Sequence, residues 1–223
     1  MVASEITQTA AGRRERNKRD KQQRIFAAAS ELFAAHGYAA VTTQQIAERA
    51  DVAGGTLFRY AATKAELLLM VCNEDFRVGL AAGRTALPAA GTPGERMLAL
   101  VTPLIGAGRQ NDENTTAYQR EVLFGEPHER YRAEALELAR ELQSLFAAVL
   151  ADAWDAAGAS ASRPRPDPTL AARTASDVLH LELARAGLFG TPTPRLQGEL
   201  RAQFTLIAHG FLHSPHDDSP QPD

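Results

Sequence analysis

Apolar residues recur at helical spacing through most of the chain, and no stretch alternates apolar and polar positions as a half-buried strand would. The first helix carries Ile25, Ala28, Ala29, Leu32, Phe33 and His36 on one side and stops at Gly37, a residue that enters a left-handed cap without strain. A short second helix follows, with Thr42 or Thr43 as N-cap, Gln44 or Gln45 placed to reach back, and Ile46, Ala47 and Ala50 as its apolar face. Asp51-Val52-Ala53 reads as a turn with Val52 pointing inward. A third helix begins near Gly54 and turns Leu57 and Tyr60 or Ala61 inward. Thr63 caps a long fourth helix that ends before Pro88 and places Leu67, Leu68, Val71, Cys72 and Phe76 together. Further helices are expected over about 95–107 (kinked at Pro103), 115–124, 128–157, 168–189 and 196–212. The fold class is therefore all-α, with nine helices.

Charge changes this picture. Residues 1–64 hold ten basic and six acidic side chains, a net +4, which leaves -7 for the rest of a chain whose total is -3. A basic head on an acidic body is how a nucleic-acid-binding head would look. Seven of the basic residues crowd into Arg13–Arg24. A single cysteine excludes an internal disulfide and fits a reducing, cytoplasmic setting. No secretory leader or membrane span is visible, so no membrane partner is expected.

The order of residues narrows the class further. A basic helix leads to Gly37-Tyr38, Thr42-Thr43, Ile46-Ala47, Ala50, Val52, Gly55-Thr56-Leu57-Phe58, Tyr60 and Lys64, then to a long helix and an all-helical remainder. This resembles the TetR family of bacterial transcriptional regulators over about residues 20–70. The resemblance implies a flexible basic arm over 1–19, a three-helix helix-turn-helix DNA-binding domain over 20–66, a helical-bundle effector-binding and dimerisation domain over 67–213, and a disordered tail over 214–223. It also implies a homodimer joined through the last two helices, a palindromic double-stranded DNA operator, and release by a small effector. Ala184, Ala186, Gly187 and Ala208 are the small residues expected to let partner helices approach.

Several residues depart from the family pattern. Asp51 replaces a frequent glycine in the turn, which it can survive because Asp tolerates a left-handed backbone. Ala53 replaces a capping Ser or Thr, Phe58 a phosphate-binding Tyr, and Ala61 a packing Phe. The residues expected at DNA are Thr42, Thr43, Gln44, Gly55, Thr56, Phe58, Arg59, Tyr60 and Lys64. Thr42 or Thr43 and Lys64 would meet phosphate, and Gly55 would admit the backbone closely. Gln44, Thr56, Arg59 and Tyr60 would face the major groove. The basic arm is a candidate for a minor groove.

The remaining chemistry is sparse. Tyr118, Trp154 and His180 are polar groups set in apolar stretches, as in a ligand site. Met97, Phe124, Phe146 and Leu150 read as core that can also border such a site. The lining is mostly apolar, so an apolar or amphipathic effector is expected. His209 and His213 share a helix face but lack a third ligand at metal spacing, and no metal or cofactor is expected. No phosphate loop, nucleophile elbow or zinc-protease motif appears, which argues against an enzyme. The alternative reading is a helical small-molecule-binding protein with weak or non-specific DNA binding.

Overall fold

In the computed structural model, which describes residues 2–108, 111–126, 129–157 and 165–213, the elements are α1 (Val2–Ala40), α2 (Thr43–Arg49), α3 (Gly54–Leu57), α4 (Lys64–Ala86), α5 (Pro93–Gly108), α6 (Asp112–Phe124), α7 (Arg130–Ala156), α8 (Thr169–Phe189) and α9 (Thr193–His213). There is no strand among the described residues. The expected tail and most of the expected loop at 158–167 lie outside them.

In the structure α1 runs back to Val2, through the segment expected as a flexible arm. No proline interrupts it, and Glu15 pairs with Arg19 one turn on at 3.6 Å, the orientation that supports a helix. The third helix is one turn long. Beyond Leu57 the amides of Arg59 and Tyr60 bond three residues back, to Thr56 and Leu57, so the chain tightens and leaves the α-helical path. Gly37 holds the kink near the end of α1 at φ 77°, a backbone only glycine adopts freely. Pro103 sits inside α5 without ending it.

Two apolar cores result. One joins α4, α5, α7, α8 and α9 around Phe146 and Phe204, whose rings lie 5.3 Å apart. The other joins α1, α2, α3 and the start of α4 around Ile25, Phe33, Ile46 and Leu57. It does not close on itself, for Ala117, Tyr118 and Val122 of α6 and Tyr131 and Ala135 of α7 belong to it. The head therefore shares side chains with the body.

The small residues of α8 and α9 are also corrected. Ala186 and Ala208 are buried within this chain's own core. A Cβ on Gly187 would lie 2.7 Å from the Asp112 carbonyl oxygen, so Gly187 lets α8 cross α6, not a partner's helix. What α8 does present outward is Leu170, Leu181 and Leu188, one stripe at helical spacing, with Phe189 beside it.

Candidate nucleic-acid interface and effector cleft

Thr42 is the N-cap of α2. Its hydroxyl accepts the Gln45 amide at 3.2 Å, while Gln45 Oε1 accepts the Thr42 amide at 2.8 Å. The box satisfies two orphan donors and fixes the start of α2. It also occupies the Thr42 hydroxyl, so Thr43, one position inside the helix and without a side-chain partner, is the freer hydroxyl of the two. Asp51 takes φ 50° in the turn, and its carboxylate pairs with Arg24 of α1 at 2.9 Å. Arg49 pairs with Glu31 of α1 at 2.8 Å. These two ion pairs tie α2 and its turn to α1 from the solvent side.

Ala53 is the N-cap of α3 and makes no side-chain cap bond, as its methyl group dictates. Gly54 and Gly55 are exposed, and an added Cβ at either would meet open space. Phe58 is half exposed at 51%, so it is not core. Arg59 is exposed. Thr56 is half-buried. Gln44 is exposed, with its amide donating to Glu48 Oε1 at 2.9 Å. Thr42, Gln44, Gly55, Phe58 and Arg59 thus lie on exposed surface of one short helix-turn-helix, with Thr43 and Thr56 half-buried beside them.

Two expected contacts are already engaged within the chain. The Tyr60 hydroxyl donates to the Lys18 carbonyl of α1 at 3.3 Å. Lys64 Nζ donates to the carbonyls of Val41 at 2.8 Å and Ala39 at 3.3 Å and sits 4.4 Å from the centre of the Tyr38 ring. It caps the carbonyl end of α1 with a cation. Lys64→Ala is therefore expected to lower the stability by about 2 kcal/mol in urea unfolding, since bonds to charged donors are the stronger ones. Unchanged stability with weaker DNA binding would return Lys64 to phosphate.

A cleft of about 250 Å³ opens where head meets body. Its walls are Ser30, Phe33 and Ala34 of α1, Leu68, Val71, Cys72, Asp75 and Phe76 of α4, Leu104 of α5, Asn111 at the start of α6, Asn114, Thr115, Tyr118 and Gln119 of α6, and Leu183 of α8. Of the residues expected in an effector site, only Tyr118 lines it. Its hydroxyl donates to Asn73 Oδ1 at 3.2 Å, and burial pushes that hydroxyl's pKa up. His180 stands behind the wall. Its Nδ1 meets Oε1 of the lining residue Gln119 at 2.6 Å, and burial lowers its pKa, so the ring is neutral and Nδ1–H is the donor. Met97, Phe146, Leu150 and Trp154 are filled core away from the cleft. Phe124 ends α6 and is 81% exposed, so it lines nothing. Burial likewise pushes the Cys72 thiol up, which keeps it protonated and unreactive. The rings of His209 and His213 stack 4.2 Å apart, with His213 Nδ1 donating to the His209 carbonyl at 3.0 Å.

Sequence reasoning missed the α1 wall, Asp75, Asn114 and Gln119. Each is a polar or small residue on a face that periodicity alone reads as solvent or ordinary core.

Residues 25–71 match the family model described as bacterial regulatory proteins, tetR family. The chain is 33% identical over 162 residues to the HTH-type transcriptional repressor KstR of Mycolicibacterium smegmatis, covering 72% of this chain and 74% of that protein. KstR of Mycobacterium tuberculosis is 31% identical over 162 residues, 72% of this chain and 68% of that protein. Among solved structures, Thermus thermophilus FadR, a TetR-family repressor in complex with lauroyl-CoA, aligns with a TM-score of 0.65 and 24% identity over 90% of this chain and 100% of that one. A TetR regulator from Rhodococcus sp. RHA1 aligns with a TM-score of 0.64 and 18% identity over 86% and 97%. With the family's signature lying on the helix-turn-helix and a relative matched over nearly three quarters of its length, this chain belongs to the TetR family of bacterial transcriptional regulators.

Proposed function

We propose that the chain is a homodimeric repressor that binds a palindromic operator through α2 and α3, and that a small apolar or amphipathic effector in the cleft releases it. The observation that carries the reading is the make-up of the cleft: α1, which holds α2 and its turn, forms one wall, and α4, α5, α6 and α8 form the others. An occupant that binds better with these walls at one spacing shifts the head toward that state. Seven of the fifteen lining residues, Phe33, Ala34, Leu68, Val71, Phe76, Leu104 and Leu183, are apolar, which suits an apolar body with a polar end.

At DNA, Thr43 and the amides at the start of α2 face phosphate, while Arg59, Gln44 and the bare backbone of Gly54 and Gly55 face the groove. Side chains that read bases are few, so shape contributes to specificity. Arg59→Ala is expected to relax preference at one base position at a cost of roughly 1–3 kcal/mol, read by competition among operator variants. Equal loss on every sequence would assign Arg59 to phosphate instead.

The test is selection of bound duplexes from a random DNA pool at physiological salt. A palindrome with two half-sites supports the repressor reading. Binding without sequence preference and with a steep salt slope supports the second reading, a ligand-binding helical protein with a weakened head. The one-turn, uncapped α3 is the observation that favours that alternative.

A further inference from the structure

The cleft between α1, α4 and α6 has an uneven chemistry. Among the described residues that line it, Asp75 is the single side chain that carries a formal charge, and no lysine, arginine or histidine is among them. Asp75 stands at the mouth and has neither an ion-pair nor a hydrogen-bond partner among the described residues. Its neighbours on the same helix are paired, Arg77 with both Glu74 and Glu134 and Arg84 with Glu141. Loss of water around the Asp75 carboxylate, with Glu74 adjacent, raises its pKa above the ordinary value, the behaviour of an anion short of a counter-charge.

A second acceptor lies in the same wall. Asn114 Nδ2 donates to the Phe33 carbonyl of α1 at 2.8 Å, which fixes the orientation of the amide. Its Oδ1 is then buried without a partner. A buried acceptor left unmade is costly, so it is a place where an occupant's donor gains most. Tyr118 adds an oxygen whose proton already goes to Asn73. Asp75 and Asn114 Oδ1 are thus two acceptors in this cleft without a partner among the described residues, beside the neutral donors of Ser30, Asn111 and Gln119.

We infer that the effector of this chain is an amphipathic cation, with an ammonium head held at Asp75, Asn114 Oδ1 as a further acceptor, and a short apolar body among Phe33, Leu68, Val71, Phe76, Leu104 and Leu183. The inference rests on the cleft being the effector site. An anionic head would meet the Asp75 charge with no base among the described lining residues to offset it. The body is short because about 250 Å³ is small beside the ~300–1,000 Å³ of drug-sized sites. The position also carries a consequence for regulation: the Asn114 amide that offers Oδ1 to the occupant holds α1 by its other end.

The test is calorimetric titration of the full-length protein with octylammonium, octan-1-ol and octanoate, which share one body and differ in head charge. Octylammonium is expected to bind about tenfold tighter than octanoate. Asp75→Asn, an isosteric change at an exposed position, is expected to erase that preference while octan-1-ol binds as before. Ala34→Phe, which fills the cleft from the α1 side, is expected to abolish all three. Octanoate binding as well as or better than octylammonium, or a cation preference that survives Asp75→Asn, overturns the assignment of the head and leaves the cleft as effector site. Failure of all three to bind, or binding untouched by Ala34→Phe, overturns the cleft reading itself and this inference with it.

Discussion

Glu66→Ala is expected to lower the stability by about 3 kcal/mol and the melting temperature by about 6–12 °C, the largest loss from any single polar side chain in the head. Glu66 is 5% exposed and has no basic partner. Its carboxylate instead accepts the Tyr131 amide at 2.8 Å and the Ala62 amide at 3.3 Å, and its own amide is capped by the Thr63 hydroxyl at 3.0 Å. Tyr131 is in the first turn of α7, where amides lack helical partners and the helix dipole favours an anion. Two turns on, Asn73 donates to the Tyr131 carbonyl at 2.8 Å. One face of α4 thus holds both backbone groups of one residue of α7. Alanine would strand the buried Tyr131 amide, at roughly 1–3 kcal/mol when unmade, and remove a second, part-buried bond at the Ala62 amide. Glu66→Gln keeps one carbonyl oxygen and is expected to lose about half as much. Scanning calorimetry of the two variants decides it, and a loss under about 1 kcal/mol for alanine would mean that the α4–α7 joint does not depend on this carboxylate.

The joint was hidden from sequence reasoning, and the reason is instructive. Periodicity finds which residues face inward when they are apolar. Glu66 and Asn73 occupy inward positions of α4 but are polar, so they read as surface. The same limit explains the effector list. Met97, Phe146, Leu150 and Trp154 were legible as buried, but whether facing helices close on them or leave a gap depends on the crossing, not on either pattern. Phe124 looked inward because its spacing continues α6, yet it is the last residue of that helix and nothing covers it. Local chemistry was read well where it is truly local. The cap at Thr42, one of the two threonines the pattern offered, the left-handed Asp51 and the missing cap at Ala53 follow from side chains acting on backbone within four residues, while Gly37, expected as a stop, is a kink within α1. The internal partners of Lys64 and Tyr60, the carbonyls of Val41 and Lys18, lie 23 and 42 residues away in sequence, beyond the reach of local pattern.

The pair Leu181→Glu and Leu188→Glu, made together, is expected to raise the dimer dissociation constant by roughly four decades, to leave monomer at micromolar concentration, and to weaken operator binding in parallel. The two leucines are 56% and 64% exposed and share one face of α8 with Leu170, while Leu206 of α9 is 73% exposed. Exposed leucines that share one helix face, here with Thr174 and Asp177 between Leu170 and Leu181, mark a contact surface. In a two-fold interface each leucine is buried twice, so the double variant removes four of them. At ~1.5 kcal/mol each, the low end for a buried leucine, that is about 6 kcal/mol. Because both side chains are exposed in the single chain, the variant should keep its helical circular dichroism and a cooperative melt, lowered only by the lost stabilisation of association, and this separates loss of the dimer from loss of structure. Operator affinity falls because two heads on one dimer bind the second half-site at high effective concentration, and two separate heads do not. Sedimentation velocity on both proteins reads the result. A variant that still sediments as a dimer would place the interface off the α8 stripe and leave Leu123 and Phe124, at the end of α6, as the next exposed apolar surface to examine.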